Sequence, residues 1–252
     1  MTRELWDARA ALGDQAGTQD RIAKVLAMRE LRRHIHIGQT VLDVGCGNGQ
    51  TIEYLLNWEP TLKIIGIDFS PAMIAAARER CGVTAVFSAW DLLSALPIPT
   101  FPGGADIAIT ERVIVNLPDW DTQAAVIRRI LDAVKPGGLY LMIENSLNGT
   151  QEINFERWRY NLPSILPPSH NLYMLDRQVE GLEGYCGADL VEIRSFSGLY
   201  YLLSRVVNAR IAADLGTEPD YNSPLNRLAL DLPTASFPAF AQGKLWVWRK
   251  HE

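Results

Sequence analysis

Nine consecutive residues, Val41-Leu42-Asp43-Val44-Gly45-Cys46-Gly47-Asn48-Gly49, constrain this chain more than any other stretch. Val41, Leu42 and Val44 form a short apolar run that reads as a buried strand. Glycines at alternate positions follow, and Gln50 to Trp58 resumes a helix-compatible pattern. Strand, glycine turn and helix in that order make a ligand site at the carboxyl end of the first strand of an α/β sheet. Glycine suits the turn because it is tight and because a Cβ would block a ligand approaching the backbone. A dinucleotide fingerprint would need its third glycine at position 50, where Gln50 stands, so a nicotinamide oxidoreductase is disfavoured.

Lys63-Ile64-Ile65-Gly66-Ile67-Asp68 is a second apolar strand ending in a carboxylate, 19 residues after Gly49. Asp68 at a strand tip can accept both ribose hydroxyls of an adenosine. Its other use, as a helix N-cap, is already met by Ser70 just before Pro71. The D-V-G-C-G-N-G run, with Asp68 in register behind it, resembles the class I S-adenosylmethionine-dependent methyltransferases. The resemblance implies that Gly45, Cys46, Gly47 and Gly49 pack against the methionyl and ribose part of S-adenosylmethionine. It further implies that Asp43 anchors the amino end and that Asp68 and its neighbour Phe69 hold the ribose. Asp91 matches the acidic position that accepts from the adenine amino group, with Trp90 or Leu92 flanking the ring; plain core packing is the other use for Trp90.

Composition limits the rest. At 252 residues, 48% apolar and 21% charged, the chain fits one soluble globular domain with elaborations. No apolar run approaches the ~20 residues that would span a bilayer, and Met1 to Trp6 lacks the layout of a secretory signal. Cys46, Cys81 and Cys186 are odd in number and far apart, which suggests neither a disulfide framework nor a metal site. The expected compartment is cytoplasmic. Net charge is -5 without a dense basic cluster, so no nucleic-acid partner is expected.

The expected fold is a doubly wound α/β sheet of seven mostly parallel strands, Rossmann-like, with helices on both faces. The final strand should be antiparallel and inserted beside the sixth. Residues 1–252 form a single domain in which 37–145 is the cofactor-binding core. Residues 1–36 read as mostly polar and helical, either a lid over the cofactor or an ordinary helix on the sheet. Strands are expected at 84–88, 105–110, 139–144, 190–196 and 245–249, and helices at 71–80, 121–134 and 176–185. Lys135-Pro136-Gly137-Gly138 resembles the family's turn before its fifth strand. The stretches 146–175 and 197–243 have few periodic features, too many residues for structureless loops, and many aromatic and polar side chains. They are expected to form a substrate cap.

Strand carboxyl ends face the ligand cleft in such sheets, which brings Thr110 and Glu111 to the cofactor and Arg112 to the reaction. Methyl transfer needs a nucleophile aligned with the leaving sulfur in a dry site, and a base only if the acceptor must lose a proton. His170 is the candidate base, with Glu111 and Glu144 as alternatives. Arg112, and more weakly Tyr173 and Tyr201, can hold an anionic or hydroxylated acceptor. The expected function is transfer of a methyl group from S-adenosylmethionine to a small-molecule acceptor such as a sugar or a carboxylate. The alternative is a methyltransferase-like protein that binds the cofactor without catalysis.

Overall fold

The computed structural model describes residues 3–233 and 236–252. Its frame is a seven-stranded sheet in the order β3-β2-β1-β4-β5-β7-β6. The parallel strands are β1 (Thr40–Val44), β2 (Lys63–Asp68), β3 (Val86–Ala89), β4 (Ala105–Glu111) and β5 (Val134–Asn145). β7 (Gly243–Lys250) runs antiparallel between β5 and β6 (Ala188–Arg194), which is the expected placement.

Central parallel strands buried on both faces must be apolar on both. Val41, Ile64, Ile107, Ile109 and Leu141 face one core, and Leu42, Val44, Ala108 and Met142 face the other. The first face is covered by α2 (Arg21–Arg32), α3 (Gln50–Trp58) and α4 (Pro71–Cys81). The second is covered by α5 (Trp120–Asp132) through Val126, Ile127, Ile130 and Leu131, joined by Trp246 and Trp248 of β7. α1 (Arg3–Ala10) packs on α4, where Ser70 donates to Asp7.

Several boundaries differ from the sequence expectation for physical reasons. β5 begins at Val134, which pairs with Ala105; Lys135 to Gly138 then form an irregularity before Leu139 pairs with Ile107, with Gly138 close to the Asp106 backbone. Lys135 also forms an ion pair with Asp106. Residues 147–159 form a helix, α6, where little periodicity was visible. Its buried side is Gly149, Thr150, Ile153 and Arg157, where Ile153 alone is large and apolar and gives no hydrophobic periodicity, while Phe155 and Trp158 lie exposed. Ser146 caps it by accepting from Gly149 N at 3.2 Å. The helix at 176 stops early: α7 spans Asp176–Glu180.

Residues 198–227 hold α8 (Gly198–Tyr201), a π-helical turn (Leu202–Val207), α9 (Asn208–Leu215) and α10 (Pro224–Arg227). α6 and α8 close on the segment just before β7 through backbone contact that only glycine allows. A Cβ on Gly149 would stand 2.1 Å from Ala241 O, and one on Gly198 would stand 2.0 Å from Phe237 O. Gly149→Ala should therefore cost about 1–3 kcal/mol through overpacking, read as a lower urea midpoint with unchanged m-value. An unchanged midpoint would contradict the close approach of α6 to residues 241–242.

Candidate functional site

β1 hands the chain to the glycine turn at the level where β2 ends. Gly45 N and Cys46 N both donate to Ile67 O, at 2.7 and 2.9 Å. Gly45, Gly47 and Gly49 all take positive φ, between 52° and 78°, a region costly for other residues. Their surroundings differ. A Cβ on Gly45 would collide with Val113 at 2.4 Å, and one on Gly49 would press on Ala77 of α4 at 3.1 Å. Around Gly47 nothing lies within 4 Å, so only its face of the turn is open. Asp68 braces this arrangement: Oδ2 accepts from Gly47 N at 3.0 Å and Oδ1 from Ser70 N at 2.9 Å. Ser70 in turn caps α4, accepting from Met73 N at 3.1 Å.

The open face borders a cavity of about 580 Å³. Its floor includes Asp43, whose Oδ2 is buried without a hydrogen-bond partner. Burial pushes the Asp43 carboxyl up to about 7; Lys24 opposes the rise, and Glu111 and Asp68 add to it. Lys24 reaches from α2 to form an ion pair with Glu111 and donates to Thr51 at 2.8 Å. The segment between α1 and α2 crosses the mouth, held by Asn48 Nδ2 to Gly13 O at 2.7 Å and Arg112 Nη2 to Gly17 O at 2.6 Å.

Of the residues singled out from sequence, Asp43, Gly45, Cys46, Gly47, Asp68, Phe69, Trp90, Asp91, Leu92, Glu111, Arg112 and His170 line this cavity. Trp90 Nε1 is buried and unpartnered beside it. His170 meets Trp6 edge-on, ring centres 6.5 Å apart, and burial, then the Arg9 charge, lower its pKa.

Three expectations need correction. Thr110 faces the opposite side of the sheet, where its hydroxyl lies 2.9 Å from that of Tyr140; strand alternation puts Glu111, not Thr110, toward the cavity. Gly49 is closed off by α4 and does not line the cavity. Glu144 is fully buried and turned away: Oε1 accepts from Val113 N and Ile114 N, both at 2.9 Å, and Oε2 from Val115 N at 3.3 Å. Such a carboxylate holds a loop and is not free to take a proton from an acceptor. Lys24, Trp6 and Arg9 line the cavity from within the 1–36 segment, which the sequence reads as either a lid or an ordinary helix, and no local feature singles out these three side chains.

Comparison with known proteins agrees with this geometry. Residues 41–138 match the family model described as a methyltransferase domain. A trans-aconitate 2-methyltransferase of Variovorax paradoxus is 36% identical over 99 residues, 39% of this chain and 36% of that protein. A demethylmenaquinone methyltransferase of Oceanobacillus iheyensis is 26% identical over 186 residues, 66% of this chain and 76% of that protein. The chain spans about a third of the length of the first curated relatives it matches. A methyltransferase of Haloferax volcanii, solved with the activator Trm112, shares the fold with a TM-score of 0.66 and 19% identity, covering 98% of each chain. The family's cofactor is S-adenosylmethionine, and the residues present fit it: an unpartnered buried carboxylate oxygen for an ammonium, and an open glycine face against which nothing packs. Sheet order, glycine turn and the matched residues 41–138 together identify that part of the chain as a methyltransferase domain.

Proposed function

We propose that this protein transfers a methyl group from S-adenosylmethionine to a small-molecule acceptor. The observation that carries this reading is the bare Asp43 Oδ2 on the floor of the cavity that Gly47 leaves open. S-adenosylmethionine supplies an activated methyl carbon whose bond to sulfur breaks as the acceptor's lone pair bonds to it, the electron pair staying on sulfur. Asp43 holds the amino end, and Asp68, already fixed by two backbone amides, presents its remaining lone pairs to the ribose. Trp90 and Leu92 border the adenine, with Asp91 at its edge. Residues 16–20 with Pro168, His170, Asn171 and Tyr173 line the cavity beside the glycine turn, and water displaced from it by a bound ligand would strengthen the charges inside. The named acceptors of the relatives, trans-aconitate and demethylmenaquinone, are small molecules and support that class. Where the acceptor carries a proton, His170 removes it; its lowered pKa keeps the ring neutral and able to accept at pH 7.

The cofactor reading has a pH signature. A carboxyl held near 7 in the free protein is protonated below that pH, and a cationic amino group binds its ionised form. Affinity for S-adenosylhomocysteine should therefore fall as pH drops below about 7, by up to about tenfold per unit, and level off above it. Asp43→Asn should bind more weakly and lose that slope. Titration calorimetry at pH 6 and 8 reads both, and a flat wild-type profile would remove Asp43 from the amino site.

The glycines separate packing from binding. Gly47→Val should weaken S-adenosylhomocysteine binding at least tenfold, since its side chain would enter the cavity at a strained φ. Gly45→Val should instead lower the unfolding midpoint, because its side chain meets Val113. Normal binding by a folded Gly47→Val protein would place the cofactor elsewhere.

For an acceptor that carries a proton, His170→Ala should lower turnover about 10²–10⁴-fold and remove the acidic limb of the pH profile. S-adenosylmethionine affinity should stay within a few-fold. A loss under fivefold with the limb intact would exclude His170 as the base.

A further inference from the structure

A second, smaller cavity of about 160 Å³ opens beside the first. Lys24, Glu111, Arg112, Asn145, Tyr173 and Arg205 line both, so a molecule in the smaller one faces the larger. We propose that the smaller cavity seats the acceptor and that the acceptor is a small carboxylic acid held by Arg112. This rests on the methyltransferase reading above and names the substrate class for it.

Three cations line the smaller cavity against two carboxylates. Lys24 is paired with Glu111, and Arg205 with Asp20 at 2.6 Å. Arg205 is committed further: its guanidinium lies 3.8 Å from the ring centre of Tyr221 and 4.9 Å from that of Tyr201, and it projects from the π-helical turn. Arg112 is the remaining cation. Among the described residues it has no carboxylate partner, and its guanidinium donates one hydrogen bond, to Gly17 O. A guanidinium carries five N–H donors in a fork that matches a carboxylate.

Arg112 is also held where it is at a cost. Its φ is +56°, a left-handed conformation unfavourable for a residue with a long side chain. The surroundings enforce it: Arg112 N donates to Ile143 O at 2.8 Å, Arg112 O accepts from Asn116 Nδ2 at 2.6 Å, and Glu144 holds the next three amides. Backbone strain that is over-determined in this way is a feature of functional sites.

The same cavity is lined by a polar group that is still unmet. Gln242 is only 6% exposed; its Nε2 donates to Tyr173 at 3.2 Å, and its Oε1 has no partner. A carboxylate on Arg112 and a hydroxyl on Gln242 Oε1 would satisfy both groups. A volume of about 160 Å³ suits a small acid.

The test uses the full chain, methyl-labelled S-adenosylmethionine, and a panel of three- to six-carbon carboxylic and hydroxycarboxylic acids beside their amides. At least one acid should be methylated and its amide should not. Arg112→Gln should raise KM for that acid roughly 10–100-fold, the loss of a charged hydrogen-bonded contact, with kcat within a few-fold. Arg112→Lys should recover part of the loss, and S-adenosylhomocysteine affinity should stay within about threefold in both folded variants. Equal use of acid and amide, an unchanged KM in Arg112→Gln, or no acid methylated by protein that binds S-adenosylhomocysteine would each overturn the proposal. Failure of the wild type to bind S-adenosylhomocysteine would instead bring down the methyltransferase reading on which it stands.

Discussion

The buried Glu144 carboxylate is the interaction on which the site's shape depends. It sits at the end of β5, fully excluded from water, and receives the amides of Val113, Ile114 and Val115. Burial raises its pKa to about 7 while those three hydrogen bonds oppose the rise. An unpaired carboxyl there would be expensive, so the loop after β4 has to fold back onto it. That fold sets Val113 against Gly45, which fits only because Gly45 has no side chain. It also fixes Arg112 in its left-handed conformation at the border of both cavities. One interior carboxylate thus joins the glycine turn of β1 to the loop of β4.

A second set of charges ties the amino-terminal segment to the region after β6. Asp20 caps α2 through Ala23 N, accepts from Tyr200 at 2.6 Å and pairs with Arg205. Each of these groups is buried or nearly so, where an unpaired charge would be costly and a satisfied network is correspondingly rigid. The walls of the smaller cavity are therefore set by side chains far apart in sequence. Lys24 and Glu111 make a similar bridge between α2 and β4.

How much of this was legible follows from which interactions are local. The β1 turn, the strand ending at Asp68 and the cap at Ser70 are short-range patterns, and each stands where its residues implied. The seven strands and the antiparallel last strand beside the sixth came with the family resemblance and are observed. Thr110 was misplaced because a strand end offers two faces and the sequence around it alternates too weakly to choose between them. Gly49 was misassigned because a glycine is silent about whether a ligand or a helix occupies the space beside it. α6 leaves no helical period in the sequence because its buried side carries one large apolar residue, Ile153, among small and polar ones, and its exposed side carries Phe155 and Trp158. Lys24, Arg9 and the smaller cavity depend wholly on tertiary contacts, which leave no local trace.

The central claim is that the cavity over Asp43 and Gly47 holds S-adenosylmethionine with its sulfur toward the Arg112 cavity. A crystal structure of the chain with S-adenosylhomocysteine bound tests it most directly. The expected result is an amino group on Asp43 Oδ2, a ribose beside Asp68, and a sulfur that opens toward Arg112 and Asn145. A complex in which Asp43 Oδ2 stays bare, or in which the sulfur faces away from Arg112, would contradict it.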